Sequence, residues 1–220
     1  MANAADHAAF YLCLARAFLP PQEPAAYDAI KLHLADDLDE LAGSLGVRAG
    51  DALRELRRAV EAVPGQPALL QLYSRLFLAP PAPVRVNTGA YLDGAVAGAS
   101  VTALEACYRG CGVERAERFH DLADHVAVQL EFVSLLFARA AERDSAAGSS
   151  EPAMAAGDFL ASFVRQWLPA FCADLEEATR TEQIPANPYL HLARILRAAV
   201  AQHAPPAAAS APASAHPARG

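Results

Sequence analysis

The chain has 220 residues, enough for one domain whose core needs no disulfide or metal staple. Its formal net charge of −7 disfavours nucleic acid as the main partner, because phosphate binding needs a basic patch. Apolar residues make up 54%, a figure inflated by alanine, which favours helix and carries little burial energy.

The opening residues Met1 to His7 carry neither a basic region nor an apolar core of the secretory kind, and no run of about 18 apolar residues follows. The expected location is cytoplasmic, without membrane insertion. There, Cys13, Cys107, Cys111 and Cys172 are expected to be reduced, packed thiols.

The periodicity predicts helix nearly throughout. Phe10, Leu14 and Phe18 recur every fourth residue until Pro20-Pro21. After Pro24, one stripe of Tyr27, Ile30, Leu34, Leu38 and Leu41 runs to Gly43 and Gly46. Leu53, Leu56, Val60 and Val63 form a third, ended by Pro64-Gly65. Leu69 to Phe77 is apolar on more than one side, which places it centrally in the core. Prolines and glycines between Ala79 and Ala99 predict a long loop of the kind that is often functional. Thr102 and Glu105 have capping-box spacing for the next helix, closed by Gly110 and Gly112.

The longest helix is expected from about Asp121 to Arg143, with Val126, Leu130, Val133 and Phe137 on one face and Val128, Leu135 and Leu136 widening it. Ser145 to Ser150 reads as a flexible connection. Phe159, Phe163, Trp167, Phe171 and Leu175 define a further helix, which Pro169 should kink or split. Asn187-Pro188 is a cap with proline at the first helical position, and Leu192, Ile195, Leu196 and Val200 make the last stripe. The expected organisation is one all-α domain over 1–203 and a disordered Ala/Pro-rich tail over 204–220.

No phosphate loop, nucleophile elbow or Cys-x-x-Cys motif is present, so no catalytic residue is assigned. The best polar constellation is Asp124-His125 with Glu131, which lies seven residues after Asp124 and would share its face on a helix; His120 and Asp121 lie about a turn upstream. The plainest reading is that Asp124 and His125 cap and solvate a helix start. A metal site on His120, Asp124 and His125 lacks a firm ligand set. Cys107 and Cys111, spaced i, i+4, could chelate from one helical face, but packing is the better account without a partner at matching spacing. The aromatic stripe from Phe159 to Phe171 reads as core, and His7, His33, His191 and His203 as surface residues.

Two segments resemble the TorD/DmsD family of redox-enzyme maturation chaperones. Tyr73-Ser74-Arg75-Leu76-Phe77-Leu78-Ala79-Pro80 is similar to the family's Y-x-x-L-F-x-G-P. Ala123-Asp124-His125-Val126-Ala127-Val128-Gln129-Leu130-Glu131-Phe132-Val133 resembles its P-D-H-(hydrophobic)-x-x-E-L-x-F-M helix. Trp167-Leu168-Pro169-Ala170-Phe171 is a third, weaker match to W-x-P-x-F. Ala79 replaces a glycine, and Gln129 stands where glutamate is common. The stretch after Pro80 lacks the family's P-Y-E-S-V-Y, although Tyr91-Leu92-Asp93-Gly94 fits its end.

The resemblance implies an all-α, non-enzymatic cytoplasmic chaperone, monomer or homodimer, without a metal or cofactor of its own. Its partner would be the twin-arginine signal peptide, and the apo form, of a molybdopterin-dependent oxidoreductase subunit awaiting its cofactor. Such a leader is basic at one end and apolar along its middle, so its receptor needs an apolar groove and nearby carboxylates. The implied peptide-binding residues are Tyr73, Leu76, Phe77, Pro80, Asp124, His125 and Glu131. A helical assembly factor for another complex, and a metal protein or enzyme at His120, Asp124 and His125, stay open as alternatives.

Overall fold

A computed structural model describes residues 3–95, 98–113, 122–145 and 154–206. They form a single all-helical domain, as the periodicity predicts. Its helices are α1 (Ala4–Ala17), α2 (Pro24–Leu32), α3 (Leu34–Leu45), α4 (Gly50–Ala62), α5 (Gln66–Tyr73), α6 (Gly89–Leu92), α7 (Ala99–Gly110), α8 (Val126–Ser145), α9 (Ala156–Phe159), α10 (Arg165–Thr181) and α11 (Pro188–His203). Wide π-turns at Ser74–Leu78 and Leu160–Val164 continue α5 and join α9 to α10. Among the described residues no helix is long and apolar enough to cross a membrane.

The packing centre is α8 against α1. Val126, Leu130 and Val133 are fully buried, as are Phe10, Leu14 and Phe18 opposite. Phe137 stacks on Tyr11 with ring centres 5.6 Å apart, and the Ser134 hydroxyl donates to the Ala8 carbonyl at 2.7 Å. Both flanks of α8 are covered, because Leu136 and Phe132 are also buried. On the other side α10 and α11 pack together, and α11 packs on α4. Asn187 caps α11 as expected: its Oδ1 accepts the Tyr189 N–H at 3.1 Å, while its Nδ2 donates to Thr179 Oγ1 at 2.9 Å.

Several boundaries differ from the sequence reading. The stripe from Tyr27 to Leu41 belongs to two helices that break at His33, which ends α2 and starts α3. Lys31 fixes that corner by donating to the carbonyls of Val60, Glu61 and Val63 at 2.8–2.9 Å, closing the C-terminus of α4 where carbonyls lack helical partners. The Thr102/Glu105 capping box is not used. Helix α7 starts a turn earlier, where the Asp93 carboxylate accepts the Ser100 N–H at 3.0 Å. Pro169 leaves α10 unbroken. The irregularity falls one turn earlier, in the wide turn ending at Val164, immediately before the Arg165 carbonyl that the proline ring would otherwise crowd. There the Gln166 side chain donates to the Ala161 carbonyl at 2.9 Å.

His191 and His203 are half-buried rather than superficial, and His33 is exposed. His203 Nδ1 pairs with the Tyr11 hydroxyl at 3.0 Å, and its ring meets that of His7 with centres 4.6 Å apart. The expected linker at Ser145–Ser150 lies, beyond Ser145, outside the described residues. So does the expected tail from Ala207 onward, while Ala204 is buried and the Pro205 carbonyl accepts from Arg165 at 2.5 Å.

Candidate functional site

The segment after Pro80 is tied down by backbone pairing. Val84 N–H donates to the Leu76 carbonyl at 3.1 Å, Val126 N–H to Val86 at 2.9 Å, and Thr88 N–H to Asp124 at 3.1 Å. The last two flank an isolated antiparallel bridge between Asn87 and His125. The predicted loop therefore has structure of its own, including α6.

At this junction Asp124 is 1% exposed. Its Oδ2 accepts the Gly89 N–H at 2.8 Å, and its Oδ1 accepts from Asn87 Nδ2 at 3.1 Å. Gly89 is needed by close approach: a Cβ there would stand 3.0 Å from Val101 Cγ2 and 3.1 Å from both Asp124 Oδ2 and the Ala95 carbonyl. Gln129, fully buried, donates through Nε2 to Thr88 Oγ1 at 2.7 Å and to the Asp124 carbonyl at 3.0 Å. Its Oε1 accepts the indole N–H of Trp167 at 3.0 Å. Buried polar groups persist when they are satisfied, and this amide serves three partners at once. The Tyr91 hydroxyl accepts the Arg85 N–H at 3.1 Å and donates to Asp174 at 2.9 Å; burial, chiefly, pushes its pKa upward.

The expected capping role falls to His125 alone. Its Nδ1 accepts the Ala127 N–H at 3.0 Å, covering a free donor of the first turn of α8. Asp124 precedes that helix and points into the junction, so it does not share a helical face with Glu131, which is exposed. Tyr73, Leu76 and Phe77 face inward. Tyr73 donates to the Phe18 carbonyl at 3.3 Å, and the rings of Tyr73 and Phe77 pack on Tyr189 at 5.7 and 5.2 Å. Pro80 is exposed beside Leu78, which is 54% exposed. The structure thus joins Asp124 and His125 to the segment after Pro80, which Leu76 also holds through the Val84 N–H, while Tyr73 and Phe77 pack on Tyr189.

Asn87, Thr88, Gly89 and Gln129 complete the junction and were not singled out as site residues by sequence. The available signals were a polar amide inside an apolar stripe and an Asn-Thr-Gly turn. His120 and Asp121 lie outside the described residues; among those described, no cluster of three or more His, Cys, Asp or Glu side chains could hold a metal ion. A cleft of about 690 Å³ opens elsewhere, where Arg48, Glu55, Glu176, His191, Arg194 and Arg197 line the α4–α11 side. Its charges compensate, with Arg194 on Glu176 at 3.0 Å.

Residues 43–173 match the family described as nitrate reductase delta subunit. The chain belongs to this family. The match covers more than half of the chain and includes all three segments of the sequence resemblance: Tyr73–Pro80, Ala123–Val133 and Trp167–Phe171. Members are maturation chaperones of redox enzymes rather than enzymes, and they act with nitrate reductase-type molybdoenzyme subunits. No curated protein matches the chain.

Proposed function

We propose that this protein is a cytoplasmic, TorD/DmsD-like member of the family that binds the twin-arginine leader of a molybdopterin-dependent oxidoreductase subunit until cofactor insertion is complete. The observation that carries the reading is the buried Asp124 carboxylate held by two donors of the segment 87–89. A guanidinium offers five N–H donors in a planar fork, so a leader arginine can replace both the Asn87 amide and the Gly89 N–H. The exchange keeps the carboxylate satisfied and frees the segment after Pro80 to fold over the peptide. Leu78 and Pro80 meet the leader's apolar middle, Tyr73, Leu76 and Phe77 back that surface, and His125 keeps Asp124 placed by fixing the start of α8. Glu131, already in water, meets a second basic residue with little desolvation cost.

The test is affinity capture from the native host. A molybdopterin-dependent oxidoreductase subunit should be retained and then displaced by its own synthetic leader peptide. Retention unaffected by the leader would remove leader recognition from the proposal. Retention of an unrelated complex would favour a helical assembly factor.

A further inference from the structure

Cys107 lies on α7 and Cys111 caps its end one turn later, and neither forms a Cys-x-x-Cys pair. The fold supplies a third sulfur. Met154, just ahead of α9, lies against α7 with its Sδ 3.4 Å from Cys107 Sγ. Cys111 follows Cys107 by four residues, one helical turn, and its N–H donates to the Cys107 carbonyl at 3.1 Å, so the two side chains are neighbours. Two neighbouring thiols and a thioether from a separate element thus share one place on the surface, and all three residues are partly exposed, with both thiols free. The turn that carries Cys111 is fixed: Arg139 donates to its carbonyl at 2.6 Å, Val113 N–H donates to the Tyr108 carbonyl at 2.9 Å, and Gly112 takes the left-handed conformation that closes the helix. Sulfur that merely fills a core behaves like Cys172, which is buried and donates to a backbone carbonyl.

We propose that Cys107, Cys111 and Met154 form a three-sulfur binding site for copper(I). Thiolate and thioether ligands select this soft ion, whereas structural zinc asks for four ligands in a closed tetrahedron. Metal–thiolate bonds of about 2.3 Å set neighbouring sulfurs roughly 3.8–4 Å apart, so Cys107 and Met154 need to separate by only about half an ångström. On binding, each thiol releases its proton as its sulfur bonds to copper, Met154 donates a sulfur lone pair, and the metal keeps its oxidation state. The resulting anionic centre sits beside the Arg139 guanidinium.

The experiment is an anaerobic titration of the full chain with copper(I) held by a chromophoric chelator. The wild type should remove one copper ion per chain and gain ultraviolet thiolate-to-copper absorption. Cys107→Ser and Cys111→Ser should each weaken binding about 100-fold and Met154→Leu about 10-fold, while Cys13→Ser has no effect. Thermal melts by circular dichroism establish that each variant is folded, and Met154→Leu nearly conserves volume. Copper left entirely with the chelator would overturn the proposal. So would a Cys107→Ser/Cys111→Ser variant that competes as well as wild type, and an unchanged affinity in Met154→Leu would overturn the three-sulfur set.

Discussion

The side-chain carbonyl of Gln129 accepts the indole N–H of Trp167 at 3.0 Å, and both residues are completely buried. This bond links α8 to α10, while the amide end of Gln129 holds Thr88 and the Asp124 carbonyl. Gln129→Leu would fill the same space and leave three buried polar groups without that partner. The expected loss is about 2–5 kcal/mol, since an unsatisfied buried group costs roughly 1–3 kcal/mol and the losses share one site. Trp167 is the sole tryptophan, so denaturant unfolding followed by its fluorescence measures this directly.

Leu130, fully buried on α8, should cost about 2–5 kcal/mol when changed to alanine. Lys31→Met is a second stability test of a different kind. It keeps the stem but withdraws three donated hydrogen bonds from the end of α4, with an expected loss of about 1–3 kcal/mol. Urea midpoints of the two variants check both values.

The helices were legible because their apolar positions repeat in one phase, as in Val126, Leu130 and Val133, and because Asn187-Pro188 is a local signal. The break at His33 was not legible, since the apolar stripe continues in phase from Ile30 to Leu34 across it. Lys31 and Gln129 act on groups 29 to 41 residues away, and a single sequence does not display such pairings. Asp124 was visible as a polar residue of note. Its direction was not, because a carboxylate can cap a helix or accept from a distant backbone N–H equally well, and the choice depends on where the segment 87–89 lies.

The chain end offers a boundary test. Truncation after Pro206 should shift the melting temperature by less than a few degrees, roughly 1 kcal/mol. Truncation before Ala204 should cost more, because it removes a buried alanine and the carbonyl that pairs with Arg165. Differential scanning calorimetry of the two truncations separates them.

His203 makes stability depend on pH. Burial, followed by the neighbouring His7, lowers its pKa from 6.5 to about 4. The unfolded chain therefore takes up this proton first as pH falls. The stabilisation is fully present above about pH 6.5 and is lost progressively down to about pH 4. Partial exposure of the ring reduces the effect to about 1–2 kcal/mol. His203→Gln keeps a partner for Tyr11 and should flatten the stability profile across this window, as measured by urea unfolding at several pH values.

The most direct test of leader recognition is calorimetric titration of wild type and Asp124→Asn, at two salt concentrations, with the synthetic leader of the co-purifying molybdoenzyme. Asparagine can still accept the Gly89 N–H, and its amide NH2 can donate to the Asn87 side-chain oxygen once that amide turns over, so the fold should survive. The charge-assisted contact to arginine is lost, which is worth about 1.5–3 kcal/mol. Binding should weaken about 10- to 100-fold in Asp124→Asn, with added salt weakening the wild type more than the variant. Equal affinities in both proteins, or no binding of the leader by the wild type, would contradict leader recognition at Asp124.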